Sequence, residues 1–177
     1  MPSNAPDNLL VDEILTGNHA SFRILVERYQ NMVFTIAFRI TRNREEAEEV
    51  AQDVFMKVYN GLQNFEGNAK FSSWLYRIAY NTSLTKIRNR KEEARPIETI
   101  TTNATVLNEA EQSFNRGDLN MAINMLEPED VTIITLFYLS EQSLDEIAQI
   151  LNIEANAAKV RLHRARKKLR EKMELIG

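Results

Sequence analysis

Cysteine is absent from the sequence, and histidine, proline and glycine are scarce. Without cysteine the chain forms no disulfides or thiolate metal sites, and two isolated histidines, His19 and His163, do not indicate a metal cluster. Neither histidine has a neighbouring arrangement of Asp, Ser or Cys that would indicate an activated base or nucleophile. We therefore expect a protein of the reducing cytoplasm that is not an enzyme and uses no metal or other cofactor.

Long apolar runs are also missing. No segment approaches the roughly 20 residues that span a bilayer, and the first residues lack the basic stretch and apolar core of a signal peptide. We therefore expect neither export nor membrane insertion. Glycine and proline are too few to form the many turns of a protein of strands and hairpins, whereas the helix-favouring residues Ala, Glu, Leu, Lys and Arg are plentiful. The composition therefore predicts an all-α fold.

The net charge of -3 conceals a strong segregation of charge along the chain. Residues 71–95 hold six basic and two acidic residues, and residues 155–177 hold eight basic and two acidic residues. Between them, residues 96–154 hold eleven acidic residues and one arginine. A polyanion responds to a local basic stripe rather than to the net charge, so both basic segments are candidate nucleic-acid surfaces.

Hydrophobic periodicity predicts four helices in the first half of the chain. A short helix is expected before Gly17, and apolar residues at steps of three and four predict a long one over 22–40. Asn43 can start the next helix, 44–59, and a fourth is expected over 71–91. The inward face of the third helix consists of small and branched apolar residues, namely Ala47, Val50, Val54 and Val58.

The apolar periodicity stops between residues 96 and 118, where Thr, Asn and Glu predominate. This composition predicts a flexible acidic linker between two small helical domains, 1–95 and 119–177. In the second domain, Pro128 suits the first turn of a helix over roughly 129–139.

The segment 143–171 has the order of a helix-turn-helix. Ser143 and Glu146 predict a capping box for a short helix, and a three-residue break at Asn152–Glu154 separates it from a longer basic helix. A stripe of apolar residues lines one side of that basic helix, namely Ala158, Leu162, Ala165 and Leu169. Cations around the rest of its circumference suit the major groove of DNA. The alternative is a solvated basic helix, which the capping box, the turn and the lack of balancing glutamates disfavour.

Three segments, taken together and in this order, resemble the extracytoplasmic-function (ECF) sigma factors of the sigma-70 superfamily. The polymerase-binding helix of that family, region 2.2, is resembled by REEAEEVAQDVFMKVY at 44–59. The region 2 segment that opens and reads the minus-ten promoter element is resembled by FSSWLYRIAYNTSLTKIRNR at 71–90. Region 4, which binds the minus-thirty-five element, is resembled by the C-terminal segment with its RLHRARKKLR run at 161–170.

The resemblance implies a factor that binds core RNA polymerase and promoter DNA, with an anti-sigma factor as a further partner. Its polymerase-binding residues would be Glu45, Glu48, Glu49, Gln52, Asp53 and Phe55. Its minus-ten residues would be Asn64, Phe65, Lys70, Arg77, Asn81, Lys86, Arg88 and Arg90. Its minus-thirty-five residues would be Asn156, Lys159, Arg161, His163, Arg164, Arg166 and Lys167. The loop 64–70 would capture a base flipped from the melted strand.

Each of these assignments has a structural alternative. Without the resemblance, the acidic residues of 44–59 would be ordinary surface charges, and we expect Trp74 to be mainly a core anchor. Many members of the family have a Gly-Thr-Val-Lys-Ser-Arg run before the recognition helix, where this chain has NAAKVR at 156–161. The missing hydroxyl groups remove possible hydrogen bonds to DNA, so individual base contacts do not transfer directly.

Two other function classes are weighed against the sigma factor. A stand-alone helix-turn-helix regulator would bind specific DNA without polymerase, and its first half would sense a ligand or dimerise. A helical enzyme would need a paired-carboxylate, phosphate-loop or metal motif, and none is evident in the sequence.

Overall fold

The computed structural model describes residues 5–93 and 115–176. Within these ranges the chain is helical and has no strand, which confirms the predicted all-α fold. A 3₁₀ turn, Leu62–Asn64, follows the third helix. In chain order the α-helices are α1 (Asp7–Leu15), α2 (Ala20–Thr41), α3 (Arg44–Gly61), α4 (Phe71–Glu93), α5 (Asn115–Asn124), α6 (Pro128–Leu139), α7 (Leu144–Leu151) and α8 (Ala155–Ile176).

Local signals set the junction between α2 and α3. Arg42 adopts a left-handed conformation with φ of 56°, and its N–H donates to the Phe38 carbonyl, which closes α2. Asn43 then caps α3, because its side-chain oxygen accepts the Glu46 N–H at 2.9 Å. The predicted start of α3 at Asn43 is confirmed, and all four residues of its predicted inward face are buried.

The first half is a bundle in which α2, α3 and α4 pack against one another and α1 lies against α2. Asp7 joins α1 to α2, because its carboxylate pairs with Arg28 and accepts the Tyr29 hydroxyl at 2.5 Å. Trp74 is half-buried and packs against Phe65 and Phe71, at centroid separations of 5.2 and 5.9 Å. Its contacts agree with the expected structural role.

The second half begins with α5 at Asn115, before the predicted start near Leu119. Of the predicted linker 96–118, residues 96–114 lie outside the described residues. Pro128 lies in the first turn of α6, as expected. The predicted capping box of α7 is present: Ser143 Oγ accepts the Glu146 N–H at 3.2 Å, and Glu146 Oε2 accepts the Ser143 N–H at 2.7 Å.

The turn between α7 and α8 also follows the sequence prediction. Asn152 adopts the left-handed conformation with φ of 54°, which few residues other than glycine and asparagine take up readily. The inward stripe of α8 is buried at Ala158, Leu162 and Ala165, and α8 packs on both α6 and α7. The helix-turn-helix is therefore held as one packed unit.

The two halves also contact each other. Helix α7 packs against α4, and α6 packs against α2. Along the described ranges, none of the helices combines the length and apolar character that crossing a bilayer requires.

Candidate polymerase and nucleic-acid interfaces

The outward side of α3 carries an acidic surface. Five of the six residues predicted to bind polymerase are exposed there, namely Glu45, Glu48, Glu49, Gln52 and Asp53. The sixth, Phe55, is half-buried and packs against the core. The helical period separates the exposed positions from the buried stripe on the other side of α3. We name these five exposed residues the α3 acidic face.

Two carboxylates of the α3 acidic face are engaged within the protein. Glu48 Oε1 lies 2.9 Å from Arg44 Nε, and Glu49 Oε2 lies 2.5 Å from Lys86 Nζ of α4. The hydrogen bond to Glu49 raises the pKa of Lys86, because it stabilises the ammonium. Within the described ranges neither Glu45 nor Asp53 has an ion pair, so these two acidic residues are the most available to a partner.

Two exposed apolar side chains of α3 are absent from the predicted polymerase-binding set. Met56 is 65% exposed and follows Gln52 by one turn, and Tyr59 is 40% exposed. The Tyr59 hydroxyl lies 2.8 Å from His19 Nδ1, which orients the ring. Exposed apolar groups surrounded by polar ones are typical of the energetic centre of an interface. In the sequence, the signal for an interface at Met56 and Tyr59 was that both are apolar although neither belongs to the inward stripe of α3.

The loop before α4 separates two residues that were predicted to act together on a melted base. Asn64 is exposed at the end of the 3₁₀ turn. Phe65 is half-buried, with its ring 5.7 Å from Phe71 and 5.2 Å from Trp74. Phe65 therefore supports the loop from inside, and Asn64 presents its amide to solvent.

The predicted minus-ten residues of α4 lie on two different sides of the helix. Lys86 and Arg90 point towards α3, where they pair with Glu49 and with Glu46, the latter at 2.9 Å. The helical period places the other predicted residues on a common face. These residues, Lys70 just before the helix and Arg77, Asn81 and Arg88 within it, are all exposed, and we name them the α4 stripe.

The outer side of α8 is exposed and mostly basic. It presents five predicted minus-thirty-five residues, namely Asn156, Lys159, His163, Arg164 and Lys167. Val160, which was not predicted as a site residue, lies among them and is 47% exposed. We name these six residues the α8 outer face. An apolar side chain at such a position can contact a thymine methyl group, which a cation cannot recognise.

Three further cations of α8 contact α6. Arg161 Nη1 lies 3.2 Å from Glu129 Oε2, and Lys168 Nζ lies 2.5 Å from the buried carboxylate of Asp130. The Arg166 guanidinium sits 5.1 Å from the centre of the Phe137 ring, a cation–π geometry. These contacts fix the orientation of α8 on α6, so Arg161 and Arg166 support the helix as well as adding to its charge.

The described residues include no group of three or more His, Cys, Asp or Glu side chains placed to hold a metal ion. The site consists of surfaces on α3, α4 and α8 rather than of an enclosed reaction centre. Acidic and apolar groups on α3 suit a protein partner, whereas the cations of α4 and α8 suit phosphates.

Two family models match two separate segments of the chain. Residues 25–93 match the family described as Sigma-70 region 2, and residues 116–169 match Sigma-70, region 4. The ECF RNA polymerase sigma factor SigW of Bacillus subtilis is 31% identical over 92% of this chain and 94% of its own length. The ECF RNA polymerase sigma-E factor of Escherichia coli K12 is 29% identical over 98% of this chain and 97% of its own length.

A solved structure shares the fold. The sigma factor RpoE of Bartonella quintana, in complex with the anti-sigma factor NepR, superposes with a TM-score of 0.73 at 24% identity and covers 86% of this chain and 96% of that one. The two family matches together span most of the chain, and the similarity to SigW extends over nearly all of it. This chain therefore belongs to the ECF sigma factors of the sigma-70 superfamily.

Proposed function

We propose that this chain directs promoter-specific initiation by core RNA polymerase through three surfaces on three helices. The α3 acidic face, with Met56, docks on the polymerase. The α4 stripe and Asn64 hold the melted strand of the minus-ten element, and the α8 outer face enters the major groove of the minus-thirty-five element. The polymerase supplies the catalysis, and the chain itself acts in the cytoplasm.

The single observation that carries the proposal is the sorting of charge between helices. Acidic side chains are exposed on α3, whereas the exposed side chains of the α8 outer face are neutral or basic. A helix that neutralises phosphates releases their counterions, and an acidic helix would be repelled by the same DNA. The acidic helix therefore suits a partner other than DNA, and core polymerase is such a partner for a sigma factor but not for a stand-alone regulator.

Recognition by α8 divides between its exposed and its engaged residues. Arg164 and Lys167 reach outwards to bases or phosphates, and Asn156 at the start of the helix can meet base edges. Arg161 and Lys168 keep the helix at a fixed angle through Glu129 and Asp130. Val160 adds an apolar contact where many members of the family carry a serine, which favours a different base preference at that position.

An anti-sigma protein is the further partner that we propose. The solved structure of the sigma factor RpoE of Bartonella quintana contains the anti-sigma factor NepR bound to it. In this chain, such a partner would cover the α3 acidic face and so keep it from core polymerase. Co-purification with the tagged chain from a cell lysate would identify it.

Run-off transcription with core polymerase and a promoter library tests the proposal. The chain should select a subset of promoters that share two elements, and should co-purify with core polymerase. Sequence-specific binding by the chain alone, without polymerase binding and without selected transcripts, would favour the stand-alone regulator instead.

A further inference from the structure

Helix α1 belongs to none of the three proposed surfaces, yet its first residue is held closely by α2. The Asp7 carboxylate pairs with the Arg28 guanidinium and accepts the Tyr29 hydroxyl at 2.5 Å. A second nitrogen of Arg28 donates to the Ala5 carbonyl at 2.9 Å. The side chains of Asp7 and Arg28 are 22% and 25% exposed, so water screens their pairing less than it screens a pair on the open surface. We name Asp7, Arg28 and Tyr29 the α1 anchor.

The Tyr29 hydroxyl is a firm donor within the α1 anchor. Burial raises the pKa of Tyr29, and the hydrogen bond to Asp7 raises it further. The phenol therefore stays protonated and donates to a charged carboxylate, and a hydrogen bond to a charged group is stronger than one between neutral groups. Because this bond holds the outer end of the ring, Tyr29 presents a fixed aromatic surface to its neighbours.

A continuous path of packed rings leads from the α1 anchor to the loop before α4. The Tyr29 ring lies 5.7 Å from the Phe71 ring, and Phe71 lies 5.7 Å from Phe65 in an edge-to-face arrangement. Phe65 and Phe71 both pack against Trp74. Contacts between rings at these separations depend on orientation, so displacement of one ring disturbs the next. The path ends at Phe65, the chain neighbour of Asn64.

Helix α1 also supports the same loop directly. Three apolar residues of α1 are buried in the bundle, and the helix contacts the 3₁₀ turn Leu62–Asn64. Leu62 is 1% exposed, and its carbonyl accepts the Phe65 N–H at 3.1 Å. The loop therefore starts from a turn that rests on α1.

Support of this kind matters for an amide that reads a base. A hydrogen bond weakens steeply as its distance and angle depart from the optimum, so the amide has to be held in place. Asn64 ends a 3₁₀ turn of only three residues, and such a short turn restrains its last side chain weakly. The position of Asn64 therefore depends on the packing beneath the turn.

We infer that Asp7 and Tyr29 are positioning residues for minus-ten recognition, which fix the loop carrying Asn64 through the rings of Phe71 and Phe65. The inference rests on the proposed function, which assigns Asn64 to the melted strand. Asp7 and Tyr29 act through this packing rather than by touching DNA. Loss of the Tyr29 hydroxyl should therefore loosen the loop while its own residues stay unchanged.

Two variants disconnect the α1 anchor from the path. Tyr29→Phe keeps the ring and removes the hydroxyl, whereas Asp7→Ala removes the acceptor. Tyr80→Phe is the matched control for the first, because it removes the hydroxyl of another tyrosine packed in the same bundle, about 13 Å along α4 from Phe71. Asp12→Ala is the control for the second, because it removes an exposed carboxylate of α1.

The fluorescence of Trp74 measures the packing of the loop in the full chain. The sequence has a single tryptophan, and its ring packs against Phe65 and Phe71. Acrylamide should quench this fluorescence more strongly in Tyr29→Phe and Asp7→Ala than in the parent. Both controls should match the parent, and circular dichroism at the same temperature should show equal helicity throughout.

Base selection by the complete initiation complex measures the functional effect. Core polymerase and the full chain transcribe barcoded templates of a promoter recovered by run-off selection, with its minus-ten element randomised. Asn64→Ala identifies the position that the loop reads, where the parent should prefer one base by roughly tenfold, as one good base contact provides.

Tyr29→Phe and Asp7→Ala should lose most of the preference at that position. Their preferences at the other positions and their affinity for core polymerase should equal those of the parent. In the Asn64→Ala background, Tyr29→Phe should have no further effect, because both changes act on the same contact.

Three results would overturn the inference. Unchanged base preference in Tyr29→Phe and Asp7→Ala would do so even if Trp74 were quenched more strongly. An equal loss of preference at every position would leave the α1 anchor a role in general stability alone. A further loss when Tyr29→Phe is added to Asn64→Ala would mean that the anchor acts by another route.

Failure of the proposed function has a different signature. If Asn64→Ala changed the preference at no position, the assignment of Asn64 to the minus-ten element would fail, and the positioning role would fail with it. If Asn64→Ala changed the preference and Tyr29→Phe did not, the positioning role alone would fail.

Discussion

Charge reversal at Asp53 is the sharpest test of the polymerase-binding surface. Asp53 is exposed on α3, and no ion pair within the described ranges depends on it. The inward face of the helix is untouched by Asp53→Arg, so the fold should persist. Glu49→Arg is a less clean probe, because it also removes the 2.5 Å pair with Lys86 and places two cations together.

The expected effects differ enough to separate an interface residue from a surface residue. A surface substitution of this kind changes the free energy of unfolding by no more than about 0.5 kcal/mol. At an interface, reversing the charge opposes like charges or leaves a desolvated partner unpaired, which costs about 2–5 kcal/mol of binding free energy. The affinity of Asp53→Arg for core polymerase should therefore fall by roughly thirtyfold or more.

Binding of core polymerase by the full chain, followed by fluorescence anisotropy, measures the affinity directly. Circular dichroism and duplex DNA binding by the same variant serve as controls and should match the parent. Asp12→Arg supplies a second control, because it makes the same charge reversal at an exposed residue of α1 that has no ion pair within the described ranges. Equal polymerase affinity for Asp53→Arg and the parent would exclude this face as the docking surface and favour the stand-alone regulator.

Three further predictions concern α8, its support by α6 and the ion pair between Lys70 and Glu146. Replacing a single thymine of the minus-thirty-five element by uracil removes its methyl group, and at the position that Val160 contacts this should cost about 0.8 kcal/mol of binding free energy. In competition binding, the Val160→Ala variant should no longer distinguish thymine from uracil at that position. A loss of similar size at every thymine would contradict the assignment. Asp130→Asn should lower the free energy of unfolding by about 1.5–3 kcal/mol in thermal unfolding, because Asp130 is buried beside Lys168. In contrast, Lys167→Ala should leave the free energy of unfolding nearly unchanged and reduce the salt dependence of DNA binding. The lowered pKa of Glu146 makes its contribution to stability present above the ordinary glutamate pKa and lost as the pH falls through the lowered value. The difference in melting temperature between the parent and Glu146→Gln should therefore shrink as the pH falls below the ordinary glutamate pKa, and a difference that stayed constant would refute the linkage.

Much of the fold could be predicted because its signals are local. The start of α3 at Asn43, the capping box of α7 and the proline in the first turn of α6 each depend on residues within one turn of each other. Burial of the α3 stripe follows from the helical period alone. Membership of the ECF sigma factors could also be predicted, since three segments of the sequence resemble segments of that family and occur in the same order.

Whether each predicted site residue is ion-paired or available to a partner could be predicted much less well from the sequence. Exposure of the α3 acidic face could be predicted, but the pairing of Glu49 with Lys86 joins residues 37 positions apart. The engagement of Lys168 by Asp130 spans 38 positions. Periodicity places a residue on a side of its own helix and carries no information about which helix packs there. Met56 and Val160 were overlooked because an apolar residue in a helix is read first as core.

The sequence by itself determined the helices, their caps, the two basic segments and the family, because each is encoded in short stretches of chain or in their order. Only the tertiary structure decided which charges are engaged and which remain available, because that depends on how helices distant in sequence pack. It also decided that Lys70 and Arg77 face α7, since the contact between Lys70 and Glu146 joins the two halves of the chain. No local pattern specifies such a contact, because its partners approach only after both halves have folded.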